Sequence, residues 1–345
     1  MRKTHLVGAW PGYSGAHAMD TALRRLGPHL LRMTDGETGE RSQWVLPGID
    51  WLRANPDVEV LADGDYSSYA NGTTFRVRDG RSLDPENIEL GYHRFFQRSY
   101  RAFRELRARH GNPDIRFQVG IPAALDLAVD AFGYEAAQAN RGIAEAFGRA
   151  QLREIGAILA EAGEDVVFQL ESVVALVTVV MSPDEAQPQA AKQMADVLLT
   201  LPRDAPEGTI WGAHICLGDF HHKALAEMGS ARPLVRLANA LAAEWPADRP
   251  LTYIHAPFAA ADKPGSLESS WYAPVAELDL PDDVRFVAGF IHEDTATDEL
   301  REIRNMIESN AGREVDVAAA CGLGRRPDPA QAWDAMDKAI ALIAD

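Results

Sequence analysis

The sequence predicts one (β/α)8 TIM barrel over residues 1–345, a single domain of the α/β class with an inserted loop region after the second strand. Three observations predict this fold. Short β-rich runs alternate with longer segments of helical period along the whole chain. The β-rich runs number eight, the count at which a parallel sheet closes into a barrel. A length of 345 residues suits one barrel that carries insertions.

Each predicted element follows from its local pattern of apolar residues. The predicted strands, in chain order, are 4–9, 30–34, 115–120, 166–170, 209–215, 251–255, 285–291 and 314–319. The predicted helices are 16–26, a segment with apolar residues on one face from Ile88 to Leu106, 134–162, 184–201, 231–244, 296–310 and 329–343. Residues 43–82 interrupt the alternation and are rich in turn residues. We expect this insertion to cover the mouth of the barrel.

Composition and charge exclude several classes of partner. The formal net charge is −17, which should repel nucleic acid and anionic membrane surfaces. The longest apolar run, near Val173 to Met181, is far shorter than the ~20 residues of a membrane span. The first ten residues show no apolar signal-peptide core, so we expect a cytoplasmic protein. With only two cysteines, the chain has no disulfide framework.

Polar and metal-binding side chains gather at the predicted strand ends. In a barrel of this type, the active site lies at the C-terminal ends of the strands. In strand order these ends carry Trp10, Asp35 with Glu37, Glu171, His214 with Cys216, His255, His292 with Glu293 and Asp294, and Cys321. Both cysteines of the chain are in this set.

The His214-x-Cys216 pair at the end of the fifth strand indicates a metal site. Side chains alternate along a strand, so both point to the same face. Cys321 ends the eighth strand and faces the same mouth. Thiolate and imidazole ligands favour zinc. The alternative is that both cysteines are buried packing residues and that His214 is a hydrogen-bonded core histidine.

Other polar residues allow two interpretations each. Glu37 follows a glycine turn, either as a binding group or as an acidic residue at a helix N-terminus. Glu171 lies between apolar runs, where an unpartnered carboxylate would be costly, and this favours a functional role. His292 is either a catalytic residue or part of a solvated loop. His221 and His222 are interpreted as loop residues, and the glycine-rich run 322–326 as a turn that follows Cys321.

Together these motifs resemble the catalytic barrel of cobalamin-independent methionine synthase, in the superfamily that it shares with uroporphyrinogen decarboxylase. The run HLVGAWPG at 5–12 is similar to the family's first-strand IGSFP motif, and DGETGER at 35–41 to its HGE-x-x-R motif. FQLE at 168–171 is similar to Q-x-D-E-P. The run HIC at 214–216 matches the zinc pair H-x-C, and CGL at 321–323 matches the terminal zinc cysteine.

The resemblance implies a function and a set of roles. It implies zinc-dependent transfer of a methyl or other alkyl group to a small thiol, with Zn²⁺ as the cofactor. Metal ligands would be His214, Cys216 and Cys321, with His255 as the fourth, because it stands where the family has a glutamate. Glu37 and Glu171 would hold the ammonium group of the thiol substrate. Trp10 and Asp35 are expected to line the same substrate site.

In this scheme His292 and Glu171 are the catalytic residues, and His292 is the acid for the leaving group. No tryptophan is found at the strand-three motif VGIP, where the family stacks a folate. The identity of the alkyl donor is therefore left undetermined. The expected partners are a small-molecule thiol and an alkyl donor, and a homodimer is one option for the assembly. Two alternatives stay open: a metal-dependent lyase or decarboxylase on the same scaffold, and a non-catalytic protein that binds a metal or a thiol.

Overall fold

Short runs of buried apolar residues form the central sheet of the molecule. The computed structural model describes residues 1–344. Its strands are β1 (Arg32–Met33), β2 (Val58–Ala62), β3 (Thr74–Val77), β4 (Arg116–Pro122), β5 (Val166–Ser172), β6 (Trp211–Ile215), β7 (Leu251–Pro257), β8 (Arg285–Ile291) and β9 (Asp316–Ala319). Among the described residues, seven of these strands pair in the order β1-β4-β5-β6-β7-β8-β9, and every pairing is parallel. The fold is therefore an α/β fold around a curled parallel sheet, as the alternating pattern predicts.

Helices pack around this sheet through their apolar faces. They are α1 (Gly15–Leu26), α2 (Leu46–Asp50), α3 (Tyr92–Arg109), α4 (Ala124–Phe132), α5 (Tyr134–Ala139), α6 (Arg141–Ala162), α7 (Val174–Met181), α8 (Gln187–Leu198), α9 (Thr200–Asp204), α10 (Arg232–Ala243), α11 (Ser269–Tyr272), α12 (Thr297–Ala311) and α13 (Pro329–Ile343). The predicted helix 134–162 is interrupted at Asn140, which caps α6 by accepting a hydrogen bond from the Gly142 amide at 3.1 Å. The sequence patterns did not predict α4 or α7 as helices.

The N-terminal segment 4–9 corrects the prediction of eight regular strands in a closed barrel. In the described chain it forms only single bridges, in which Thr4 pairs with Leu30 and with Val317. Further along, glutamine side chains replace strand pairing. Gln118 Nε2 donates to the Val7 carbonyl at 2.8 Å, and Gln169 Nε2 donates to the same oxygen at 2.7 Å. Because side chains satisfy this backbone, no continuous ladder forms at the sheet edges.

The insertion after β1 contains structure that its turn-rich sequence conceals. Antiparallel strands β2 and β3 pair from Val58 with Val77 to Ala62 with Thr74. Buried side chains of the insertion, among them Ile49, Leu52 and Phe75, join those of α4 and α6 in a second apolar cluster. The insertion is thereby attached to the body of the fold, beside the C-terminal ends of β4 and β5.

Strand register lines up the candidate site residues in one row. Pro122 of β4 pairs with Glu171 of β5, Glu171 with His214 of β6, and His214 with His255 of β7. Adjacent parallel strands are ~4.8 Å apart, so neighbouring side chains in this row reach one another. In the part of the chain that the structure describes, no helix is long and apolar enough to cross a membrane.

Candidate metal centre

Three potential metal ligands come together at the C-terminal ends of β6 and β9. The ligand atoms of His214, Cys216 and Cys321 all lie within 4.8 Å of one another. His214 Nε2 is 3.9 Å from Cys321 Sγ. His214 and Cys216 are two positions apart, and the alternation of β6 directs both toward the same side. Two thiols and one imidazole form a donor set that zinc prefers.

A chain of hydrogen bonds orients the His214 ring toward this cluster. His255 Nε2 lies 3.0 Å from the Ala319 carbonyl oxygen, which can only accept, so this nitrogen carries the proton. Burial lowers the pKa of His255 well below its ordinary value, and the ring stays neutral. Its Nδ1 must then accept from His214 Nδ1, 2.7 Å away. The lone pair of His214 is therefore on Nε2, the nitrogen near Cys321.

This arrangement corrects the expectation that His255 is the fourth ligand. Both ring nitrogens of His255 already have partners, and the side chain is fully buried behind His214. Gly289 of β8 makes room for it, because a Cβ atom there would lie 2.7 Å from His255 Nε2. His255 holds and orients a ligand, as outer residues of metal sites commonly do. The sequence could not distinguish the two roles, since both need a histidine at a strand end.

One of the two thiols ionises readily, and the ionisation of the second is unfavourable. A hydrogen bond from Cys216, together with the charge of Arg325, lowers the pKa of the Cys321 thiol well below its usual range, against the opposing effect of burial. The same hydrogen bond, burial and the Cys321 charge raise the pKa of Cys216 well above it. The amide of Gly218 also donates to Cys216 Sγ at 3.3 Å. A divalent cation between the sulfur atoms would stabilise the second thiolate, so the donor set fits a zinc ion.

Glu37 and Glu171 place two carboxylates in the same cavity as the cluster. Glu171 Oε1 accepts from Gln169 Nε2 at 2.7 Å, and its Oε2 accepts from the Trp44 indole at 2.6 Å. Gly120 of β4 lies beneath both acids, and a Cβ atom there would collide with the Glu171 carboxylate and lie 3.3 Å from Glu37 Oε1. Burial, followed by the opposing effect of Arg41 and then the charge of Glu171, gives Glu37 a pKa of about 8. Burial raises the pKa of Glu171 as well.

Arg41 balances the charge of Glu37 only in part. Arg41 Nη2 is 3.4 Å from Glu37 Oε1, but the same guanidinium is committed to Asp35 at 2.7 and 2.8 Å. A ligand with an ammonium group would supply the missing charge. The ammonium-binding role that the sequence resemblance implies for Glu37 and Glu171 stays a prediction.

Asp35 and Trp10 lie behind the cavity, which corrects their expected place in its lining. Asp35 accepts from the Arg41 guanidinium, from the Glu37 amide at 3.0 Å and from the Ser99 hydroxyl. It fixes the turn that carries Glu37. The Trp10 indole donates to the Ala18 carbonyl at 3.1 Å, and its ring packs against Gly36. Strand-end position predicted exposure to the mouth, but the chain turns away after Ala9.

His292 has no free nitrogen with which to act as an acid. Its Nε2 is 3.0 Å from the Ala261 carbonyl, and its Nδ1 accepts from the Asp294 amide at 3.1 Å. Burial lowers the pKa of His292, so the ring is neutral. The structure places it outside the lining of the large cavity, which corrects the expectation of a catalytic His292. Its position one residue past β8 gave no sign of these backbone partners.

A second group, His222, His292 and Glu293, also has ligand atoms within 4.8 Å of one another. Both ring nitrogens of each histidine in this group already have hydrogen-bond partners. His222 Nδ1 lies 3.1 Å from Asp219 Oδ1, and Nε2 lies 2.7 Å from Glu293 Oε1. These carboxylates raise the pKa of His222 to about 9, so it is an imidazolium in an ion-pair network. The network holds the loop after β6 against Arg326, which contacts Glu293 at 2.8 Å.

The metal cluster opens into a cavity of about 380 Å³ that the insertion covers. The Phe220 amide donates to the Tyr69 hydroxyl at 2.8 Å, and that hydroxyl donates to the Lys223 carbonyl at 3.1 Å. These contacts join the insertion to the loop after β6. Residues of the 43–82 segment contribute to the lining of this cavity, Gln43, Trp44 and Tyr69 among them.

Sequence patterns missed Trp44 and Arg325, which both line the cavity. Trp44 has a backbone φ of 57°, in the left-handed region that bulky residues rarely adopt. Arg325 Nη1 lies 4.0 Å from Cys321 Sγ and 3.8 Å from Asp219 Oδ2. Both residues come from irregular loops, where periodicity carries no information. The available signal was their proximity in sequence to Glu37 and Cys321.

Comparison with known proteins gives a similarity of fold. No protein-family model matches the chain, and no curated protein matches it. A solved structure from Listeria monocytogenes, described as a putative vitamin-B12-independent methionine synthase, aligns with a TM-score of 0.57 and 12% identity over 100% of this chain and 97% of its own. A glycoside hydrolase family 5 enzyme from Prevotella bryantii B14 aligns with a TM-score of 0.43 and 13% identity, covering 96% of this chain and 99% of its own. At 12% identity, the Listeria similarity describes a shared fold.

Proposed function

We propose that this chain is a zinc-dependent transferase that moves a methyl or other alkyl group to a small thiol. The observation that carries the proposal is the cluster of His214, Cys216 and Cys321, with ligand atoms within 4.8 Å of one another and a histidine lone pair oriented by His255. The fold shared with the Listeria structure, whose description names a methionine synthase, supports the same reading.

The number of protein ligands favours catalysis over a structural metal. Structural zinc sites are closed by four protein ligands, whereas catalytic sites have three and leave one position open. With His255 behind His214, residues 1–344 offer three in this cluster. His214, Cys216 and Cys321 would hold the zinc ion, and the chemistry it would supply is the stabilisation of a substrate thiolate near neutral pH.

The remaining side chains bind and orient the thiol substrate. Glu37 and Glu171 face the cavity from the β1 and β5 ends and would accept hydrogen bonds from its ammonium group. Trp44 and Gln169, which donate to Glu171, hold that carboxylate in place. The insertion excludes bulk water from the sulfur, and a poorly solvated thiolate is a better nucleophile.

The test combines metal analysis with thiol dependence. Purified protein should contain about one zinc per chain, and product should form only when a thiol is present. Removal of the metal by a chelator should abolish turnover, and added zinc should restore it. Product formation without a thiol would favour a lyase. Full activity of metal-free protein would refute the proposal.

A further inference from the structure

The part of the cavity beyond the metal cluster is lined by aromatic rings. Tyr66 and Tyr69 come from the insertion, Tyr134 begins α5, and Phe220 follows β6. The rings of Tyr69 and Phe220 are 5.3 Å apart. The faces of aromatic rings are negative and attract cations, and quaternary ammonium ligands are commonly held by several such rings.

The same lining is rich in acidic side chains. Among the described residues, the cavity lining has the carboxylates of Glu37, Glu171, Asp126, Asp130 and Asp219, and one lysine or arginine, Arg325. Asp126 is used internally, since it accepts from the Ser172 hydroxyl at 2.7 Å and caps α7. An anionic donor, such as a folate with its carboxylate tail, would meet repulsion here.

Asp130 is the carboxylate of this set without a partner. Within residues 1–344, its carboxylate makes no described hydrogen bond or ion pair, and its side chain is accessible from the cavity. The Asp130 side chain is exposed at the cavity, and the charge of Asp126 acts on it. A cationic ligand beside Asp130 would give this carboxylate a partner.

We propose that the alkyl donor is an onium compound, a sulfonium or a quaternary ammonium, whose cationic centre is held by Asp130 and the aromatic rings of the outer cavity. This inference rests on the proposed function and names the class of its second substrate. An onium donor agrees both with the acidic side chains of the lining and with its aromatic surface.

The transfer step balances without a further reactant. A lone pair of the substrate thiolate forms a bond to the methyl carbon. The electrons of the bond between that carbon and the positive sulfur or nitrogen return to the heteroatom, which leaves as a neutral thioether or tertiary amine. The negative thiolate and the positive donor thus give two neutral groups, and no proton is taken up.

Binding measurements test the donor class independently of turnover. Isothermal titration would compare choline, trimethylsulfonium, methyltetrahydrofolate and the uncharged carbon isostere of choline, in metal-free and in zinc-loaded protein. The two cations should bind at least about tenfold more tightly than the isostere and the folate. Asp130→Asn and Tyr134→Leu should each weaken choline binding, the former by about tenfold. The exposed residues Asp282 and Tyr13 supply matched controls, Asp282→Asn and Tyr13→Leu, which should leave it unchanged.

Methyl transfer from a sulfonium or from a betaine then identifies which onium source is used. Equal affinity for choline and its isostere, or unchanged binding in Asp130→Asn, would overturn the inference. Absence of zinc would instead refute the proposed function, while the binding of cations by metal-free protein would still stand.

Discussion

Replacement of His255 distinguishes a residue that orients a metal ligand from a ligand. His255→Leu removes the acceptor of the His214 Nδ1 proton, at 2.7 Å, and the donor to the Ala319 carbonyl, at 3.0 Å. Each buried polar group left unpaired costs about 1–3 kcal/mol. In the His255→Leu variant the Ala319 carbonyl has no donor, whether or not the metal is bound. The loss of this hydrogen bond therefore lowers the free energy of unfolding. The freed His214 ring can rotate or change tautomer, and this lowers the affinity for zinc.

The expected loss of zinc affinity in His255→Leu is about 10–100-fold, or roughly 1.4–2.7 kcal/mol. His255→Gln is the matched control, because a glutamine oxygen can accept from His214 while its amide donates to Ala319. Its affinity should stay within about threefold of the parent. The assay is competition for zinc with a chromophoric chelator, on variants whose folding is checked by circular dichroism. Parent-like affinity in His255→Leu would refute the orienting role. Near-complete loss in both variants would make His255 a ligand.

The remaining predictions concern the other site residues. Cys216→Ser and Cys321→Ser should each lower the zinc content from about one per chain to a small fraction, because a serine hydroxyl is a poor zinc ligand; stoichiometric zinc in either, by elemental analysis, would contradict this. Glu37→Gln should weaken thiol binding yet raise the melting temperature, more at pH 8 than at pH 5. The Glu37 carboxyl stays protonated in the fold up to a pKa of about 8, while in the unfolded chain it ionises near 4.3, so the parent loses stability as the pH rises between these values. A difference in melting temperature between the variant and the parent that becomes smaller as the pH rises would contradict this prediction. His292→Gln should retain transfer activity within about threefold, since neither ring nitrogen is free; a hundredfold loss of the rate would restore its role as an acid.

Side-chain periodicity predicted those parts of the site that lie on regular strands. His214 and Cys216 could be placed on one face because the strand has a period of two. Glu171 could be placed beside them because parallel strands end at one edge. Segment 4–9 failed as a strand because glutamine side chains from inside the sheet satisfy its carbonyls, and the sequence of one segment does not show partners so distant.

Residues whose position depends on loop geometry could not be predicted. Trp44 reaches the cavity through a backbone with positive φ, and Arg325 through a turn after Cys321. The role of His255 depends on the Ala319 carbonyl, which no side-chain pattern encodes. The closure of the mouth by Tyr69 depends on a contact with residues 220 and 223, more than 150 positions along the chain.

The close approach of Gly289 to His255 has a consequence for recognising related chains. A Cβ atom at position 289 would lie 2.7 Å from His255 Nε2, so any larger residue there would displace the imidazole that orients His214. The two positions are therefore coupled sterically although they lie on different strands. Among distant sequences that share the H-x-C and CGL motifs, a histidine at the position of 255 should occur together with a glycine at 289.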